Sequence, residues 1–112
     1  MADYLFVYRG GDMARSSPEQ MQQTMQKWVA WMEQLGKKGA LKERGAPLEE
    51  GGKVVRGRGK SVTDGPYAET KDIVNGFTLV TAKNLEEATE LAKGCPHFEV
   101  DGLVEVRPIR AM

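Results

Sequence analysis

Apolar and polar positions change period several times along this chain, and each change marks an element. Residues 4–8, "YLFVY", are aromatic and branched, with Asp3 before them and Arg9-Gly10-Gly11 after, which is the composition of a β-strand. Tyr4, Phe6 and Tyr8 project to one side and Leu5 and Val7 to the other, so neither face is polar. A strand apolar on both faces is normally covered on both. One small domain supplies one cover, and a partner chain is the expected source of the second. From residue 17 the period lengthens to that of a helix. Ser17 stands as N-cap, Pro18 occupies the first helical position and Gln20 closes a capping box. Met21, Met25, Trp28, Val29, Met32 and Leu35 then recur at spacings of three and four and draw an apolar stripe. Trp31 falls off that stripe, as a surface or interface aromatic, and Gly36 or Gly39 ends the helix.

Between residues 40 and 61 the pattern weakens. "ALKERGAPLEEGGKVVRGRGKS" suggests a short strand, a turn at Glu50-Gly51-Gly52 and a second short strand through Val54 and Val55. A better strand follows in "NGFTLVTA", residues 75–82, where Phe77, Leu79 and Thr81 alternate with Thr78, Val80 and Ala82. "NLEEATELAKGCP" is the second helix. Asn84 caps it, Glu87 completes the box, Leu85, Ala88, Leu91 and Ala92 form its buried face, and Gly94 with Pro96 ends it. Residues 103–109, "LVEVRPI", give the last strand, with Val104 and Val106 on one face and Leu103, Glu105 and Arg107 on the other. Strand, helix, weak hairpin, strand, helix, strand is the βαββαβ order of an α+β, ferredoxin-like fold: an antiparallel sheet with both helices on one face.

Composition narrows the function classes. A chain of 112 residues, 40% hydrophobic and 29% charged, is expected to form a single domain over residues 1–112 that folds without staples. Its longest apolar run is far short of a spanning segment, and no signal-peptide pattern opens it, so a cytoplasmic protein with no membrane partner is expected. Sixteen basic and sixteen acidic residues cancel, which removes the field that gathers nucleic acid over a whole surface. Arg56, Arg58 and Lys60 alternate in "VRGRGK" without interleaved aromatics, and read as a wet hairpin edge. "GRGKS" lacks the first glycine of a phosphate loop, since Val54 holds that place. No metal-spaced cluster and no dinucleotide fingerprint occur, so no cofactor is implied. Cys95, the single cysteine, reads as a small buried hydrophobe in a reducing compartment.

The candidate chemistry centres on "VTDGPYAETKD", residues 62–72. An aspartate in a turn usually accepts from the backbone N–H two residues on, but here that residue is Pro66, which has none. Gly65 before proline is pushed toward extended backbone and Pro66 fixes its own φ, so the corner is stiff and Asp64 is aimed. A stiffly aimed acid suits a site; the other reading is that Asp64 caps the Tyr67 amide or pairs with a nearby lysine and only holds the loop. His97, in "CPHFEVDG", is the only histidine, the side-chain type whose unperturbed pKa lies close to working pH, so a proton shuttle is one reading; the other is an ordinary loop residue. Glu105 and Arg107 share a strand face, either lining a cleft where Arg107 clamps a carboxylate or forming a rim pair that fixes dimer register. Asp64 and His97 are thus the catalytic candidates, and Gly65, Pro66, Tyr67, Lys71, Glu105 and Arg107 the ligand-binding ones.

"VTDGPYAETKD", "GFTLV", "LEEATELAKGCP" and "VEVRPI", in that order from about Thr63 to the C-terminus, resemble the DGPF domain group of the YCII-related family, although the motif here is DGPY. The resemblance implies a ferredoxin-like domain that pairs sheet to sheet with a second copy as a dimeric α/β barrel. It also implies an acid and a histidine facing a cleft as an acid/base pair. This chain has no histidine in its first helix, so the pair here would be Asp64 with His97. Some relatives act on small chlorinated aromatic compounds, and genes of the group often lie beside alternative sigma factors. Two functions are therefore expected in competition. One is a small homodimeric protein that binds a small organic molecule beside the Asp-Gly-Pro loop, in a cleft suited to acid/base, lyase-like chemistry. The other is a non-catalytic regulatory or binding module associated with a sigma factor, with a purely structural dimer as the bland limit.

Overall fold

The computed structural model describes residues 1–12, 16–65 and 72–111. Along the chain come β1 (Ala2–Gly10), α1 (Pro18–Lys37), β2 (Leu41–Pro47), β3 (Gly52–Arg56), β4 (Ser61–Gly65), β5 (Val74–Ala82), α2 (Leu85–Ala92), a 3-10 helix (Pro96–Val100) and β6 (Gly102–Pro108). Four antiparallel strands in the order β2-β5-β1-β6 make the main sheet. With α1 and α2 they form the expected α+β, ferredoxin-like βαββαβ arrangement. β3 and β4 pair only with each other and form a separate two-stranded ribbon inserted between β2 and β5.

The core lies between the sheet and the helices. Tyr4, Phe6 and Tyr8 of β1 and Thr78, Val80 and Ala82 of β5 are buried there against Trp31, Leu35, Ala88 and Ala92. Phe6 stacks on Trp31 at 6.1 Å between ring centroids, and Tyr8 meets Trp28 edge-on at 4.8 Å. The polar atoms inside are satisfied in series: the Tyr8 hydroxyl donates to Thr78 Oγ1 at 2.6 Å, and Thr78 donates to the Arg44 carbonyl at 3.0 Å. That carbonyl lies where β2 slips register against β5, beside Gly45 at φ +72°, where a β-carbon would overlap the Phe77 carbonyl. Only glycine fits that bulge.

Both helix starts form as their sequences predict. The Ser17 hydroxyl accepts from the Gln20 amide while the Gln20 side chain accepts from the Ser17 amide, and Asn84 accepts from the Glu87 amide. The buried face of α1, however, is rotated from the expected stripe. Trp31 is buried with Leu35, Trp28 and Met32 are partly buried, and Met21, Met25 and Val29 are exposed. The indoles decide this, because each offers more area than a methionine and both find aromatic partners on β1.

The region from 40 to 61 also folds otherwise than expected. β2 joins the main sheet at its edge and does not pair with β3, so Gly51 lies in a connection and Gly52 opens β3, and neither makes a hairpin turn between the two strands. The hairpin turn lies at 57–60, where Gly57 at φ +67° and Lys60 at φ +53° both take the left-handed conformation and the Lys60 amide donates to the Gly57 carbonyl. As a result Asp64 sits within strand β4, not at the apex of a loop. Trp31→Ala is expected to lower unfolding free energy by about 3–5 kcal/mol, and Met25→Ala by no more than about 0.5 kcal/mol, as read by urea denaturation; equal losses would restore the original stripe.

Candidate functional site

The sheet face turned away from the helices is the chemically distinctive surface of this chain. Leu5 lies opposite Leu79 and Val7 opposite Phe77, half-buried at its centre. Arg9, Glu105 and Arg107 share that face by strand parity, since Val7 pairs with Glu105 and Leu5 with Arg107. Arg9 Nη1 donates to Glu105 Oε1 at 2.8 Å, Arg107 Nη1 donates to Glu105 Oε2 at 3.0 Å, and Arg9 Nε donates to the Asp72 carbonyl at 3.2 Å. The Asp72 carboxylate stands 3.8 Å from Arg9 Nη2. Each of the three nitrogens of the Arg9 guanidinium thus faces an acceptor or an acid. Arg107, more exposed, gives one donor to Glu105 and presents the others to solvent.

Two hydrogen-bonded guanidiniums, that of Arg9 before that of Arg107, hold the Glu105 carboxyl below its ordinary value. It is therefore ionised at neutral pH and acts as an anchor for the arginines, not as a proton donor. At the far end of the sheet Lys42 pairs with Asp3 and, with the Thr81 hydroxyl, likewise lowers the Asp3 carboxyl.

His97 lies on the other side of the sheet, 5% exposed in the 3-10 helix. Its Nε2 is 2.9 Å from the Arg9 carbonyl, and since a carbonyl only accepts, Nε2 carries the proton and donates. The ring faces Tyr8 and Trp28 at 6.2 and 6.4 Å, and it fills the space over Gly11 and Gly102, where a β-carbon on either would collide with it. Cys95 is buried beside it, its thiol pushed up to about 12 by burial and so not a nucleophile at neutral pH. Burial likewise raises the Tyr8 phenol above its ordinary value.

Asp64 stands apart from both groups. Its side chain is 88% exposed on β4 and pairs with Lys53 directly across the ribbon, the lysine pairing that formed the alternative reading of this residue. Within one chain the described contacts do not bring Asp64 and His97 together. Gly65 ends β4 opposite Gly52, while Pro66, Tyr67 and Lys71 lie outside the described residues. Glu105 and Arg107 fall on one face as expected. What the sequence reading missed is Arg9, which shares the parity of Leu5 and Val7 and so could have been placed beside Glu105. Asp72 carries no such signal. A polar groove of about 340 Å³ lies elsewhere, lined by residues including Asp12, Gln20, Lys27, Glu99 and Asp101, and none of the candidate residues line it. Among the described residues no cluster of His, Cys, Asp and Glu is disposed to hold a metal ion, and no helix is long and apolar enough to cross a membrane.

The YCII-related domain, taken as a family, matches the chain over residues 4–112. An uncharacterized protein of Rhizobium meliloti (strain 1021) is 41% identical over 49 residues, which is 43% of this chain and 40% of that protein, so the match spans well under half of the relative's length. Among solved structures, 5-chloro-2-hydroxyhydroquinone dehydrochlorinase from Burkholderia phenoliruptrix AC1100, in complex with 2,5-dihydroxybenzoquinone, is similar over 91% of this chain and 90% of its own, at 17% identity and a TM-score of 0.42. That likeness is too distant to assign chemistry.

Because the Glu105 carboxyl is lowered by folding, its contribution to stability is complete above its unfolded value near 4.5 and is lost as pH falls through the lower folded value. Wild type should therefore exceed Glu105→Gln in urea midpoint at pH 7, with the gap closing below pH 4.5. A gap independent of pH would contradict the arginine clamp.

Proposed function

This chain belongs to the YCII-related family, and we propose that two copies close their open sheet faces on one another as a dimeric α/β barrel, forming a cleft that binds a small organic molecule. The observation that carries this reading is the open face itself: an apolar floor of Leu5, Val7, Phe77 and Leu79 beside a braced arginine with donors to spare. Such a surface suits a mostly apolar ligand with one acidic oxygen, a carboxylate or a phenolate, which Arg107 would take. Glu105 orients Arg107, and Arg9 orients Glu105. Gly65 adjoins Asp64 at the end of β4, and Pro66, Tyr67 and Lys71 remain ligand-binding candidates by their place in the sequence alone.

Asp64 is the candidate acid, an exposed carboxylate that among the described residues pairs with Lys53 across the ribbon. Acid/base, lyase-like chemistry would run through it. His97 serves the same site from behind, through the Arg9 carbonyl that its ring holds. The lone buried thiol fits a cytoplasmic setting. The second reading, a non-catalytic binding module associated with a sigma factor, is favoured by one observation: the exposed strip of Met21, Met25 and Val29 along α1, which the dimer reading does not use.

A panel of aromatic and aliphatic carboxylic acids and phenols, screened by thermal shift and followed by calorimetry, tests the proposal. At least one compound should bind, and Arg107→Ala should weaken it about 10- to 100-fold, the value of a charged hydrogen bond. Asp64→Asn should change stability by less than about 1 kcal/mol, as for an exposed pair, while abolishing any turnover. Binding indifferent to Arg107 would overturn the assignment, and a ligand-free protein that captures a partner through α1 would favour the second reading.

A further inference from the structure

The ribbon of β3 and β4 is the part of the molecule that a single chain leaves unexplained. Two-stranded hairpins alone are marginal in water, because they lack a hydrophobic face to bury. Here Val55 and Val62 lie directly opposite each other and are 64% and 60% exposed, and of the ten ribbon residues only Val54 and Gly65 are even half-buried. The radius of gyration, 15.5 Å, exceeds the roughly 13 Å of a compact chain of this length.

We propose that this ribbon is an exchanged arm: in the dimer it lies on the partner copy, and the Asp64 that faces each cleft is supplied by the other chain. The inference rests on the dimeric reading above and names the occupant of the ribbon's exposed face. Three observations select a second copy. First, the apolar pair Val55–Val62 needs a cover that the described residues of its own chain do not give, and the open sheet face already calls for a second copy. Second, charge is unevenly laid in a chain whose total is zero. Lys53, Arg56, Arg58 and Lys60 follow one another on the arm with no acid among residues 51–63, while α2 presents Glu86, Glu87 and Glu90. A two-fold pair of chains can bring these patches of opposite sign together reciprocally, in addition to the surface pairs Lys53–Asp64 and Lys93–Glu90 within each chain. At about 3.3 Å per residue a five-residue strand spans about 16 Å, of the order of the 18 Å thickness of the molecule, so the arm is long enough to lie along a partner. Third, a carboxylate 88% exposed has no cleft around it, so a site using Asp64 is complete only when a partner wall arrives.

Hydrogen exchange of segment 53–63, read by mass spectrometry above and below the dimerisation concentration with mass measured in parallel, tests the arm. In the dimer its amides should exchange at least about ten-fold more slowly than in the monomer, and more slowly at low salt than at high. Val55→Lys with Val62→Lys should abolish that protection while β1 and β5 stay protected, which separates loss of docking from failure to fold. A dimer whose arm exchanges at the monomer rate overturns the exchange alone and leaves the cleft reading standing. An arm equally protected at both concentrations docks on its own chain and also overturns it. A protein monomeric at every concentration removes the dimer reading and the arm with it.

Discussion

Leu5 against Leu79 and Val7 against Phe77 form an apolar patch in the middle of a hydrogen-bonded sheet, on the side that faces away from the described helices. The same strands bury Tyr4, Phe6, Tyr8, Thr78 and Val80 on their other side. Two helices on one side of a four-stranded sheet cover that side only, so the apolar character of β1 and β5 on both faces leaves a second face for which the dimer is the proposed cover. Everything proposed for function follows from how that requirement is met: the cleft is what two such faces enclose, and the charged groups at its edge are what the cleft can use.

The edge is built so that one arginine remains available. Arg9 is held by the Asp72 carbonyl and by Glu105, and Glu105 in turn grips Arg107, so the last member has a fixed direction and unspent donors. On the opposite side the His97 ring holds the Arg9 carbonyl and fills the room left by Gly11 and Gly102. The end of β1 is thereby fastened on both faces. A binding group carried by such a strand end is placed more firmly than one on a loop. Asp64 provides the contrast, as an acid on a ribbon whose own support is thin.

Much of this was legible in the sequence because it rests on local rules. Capping residues at Ser17 and Asn84 and the alternation in β5 and β6 gave the element order, and the two-sided apolarity of "YLFVY" pointed to the open face. The failures share a cause, which is that tertiary partners overrode a local count. The α1 stripe was drawn by spacing alone, whereas Trp28 and Trp31 turned the helix toward Phe6 and Tyr8. Gly51-Gly52 looked like the stronger turn, yet the left-handed positions Gly57 and Lys60 closed the hairpin, and the edge of β5 claimed β2. Asp64, which the Asp-Gly-Pro sequence places at a stiff corner, lies in strand β4. Of the site, Glu105 and Arg107 were found by parity, and Arg9 could have been by the same rule; the burial of His97 depends on glycines from two distant segments and left no trace in sequence spacing.

The central claim is that the open face is shared between two chains, and sedimentation equilibrium of the purified protein at micromolar concentration tests it most directly, with Leu79→Asp alongside. The account predicts twice the chain mass for wild type and a single chain for the folded variant, whose charge would be buried at the middle of the interface. A wild-type protein that sediments as one folded chain under those conditions would contradict it.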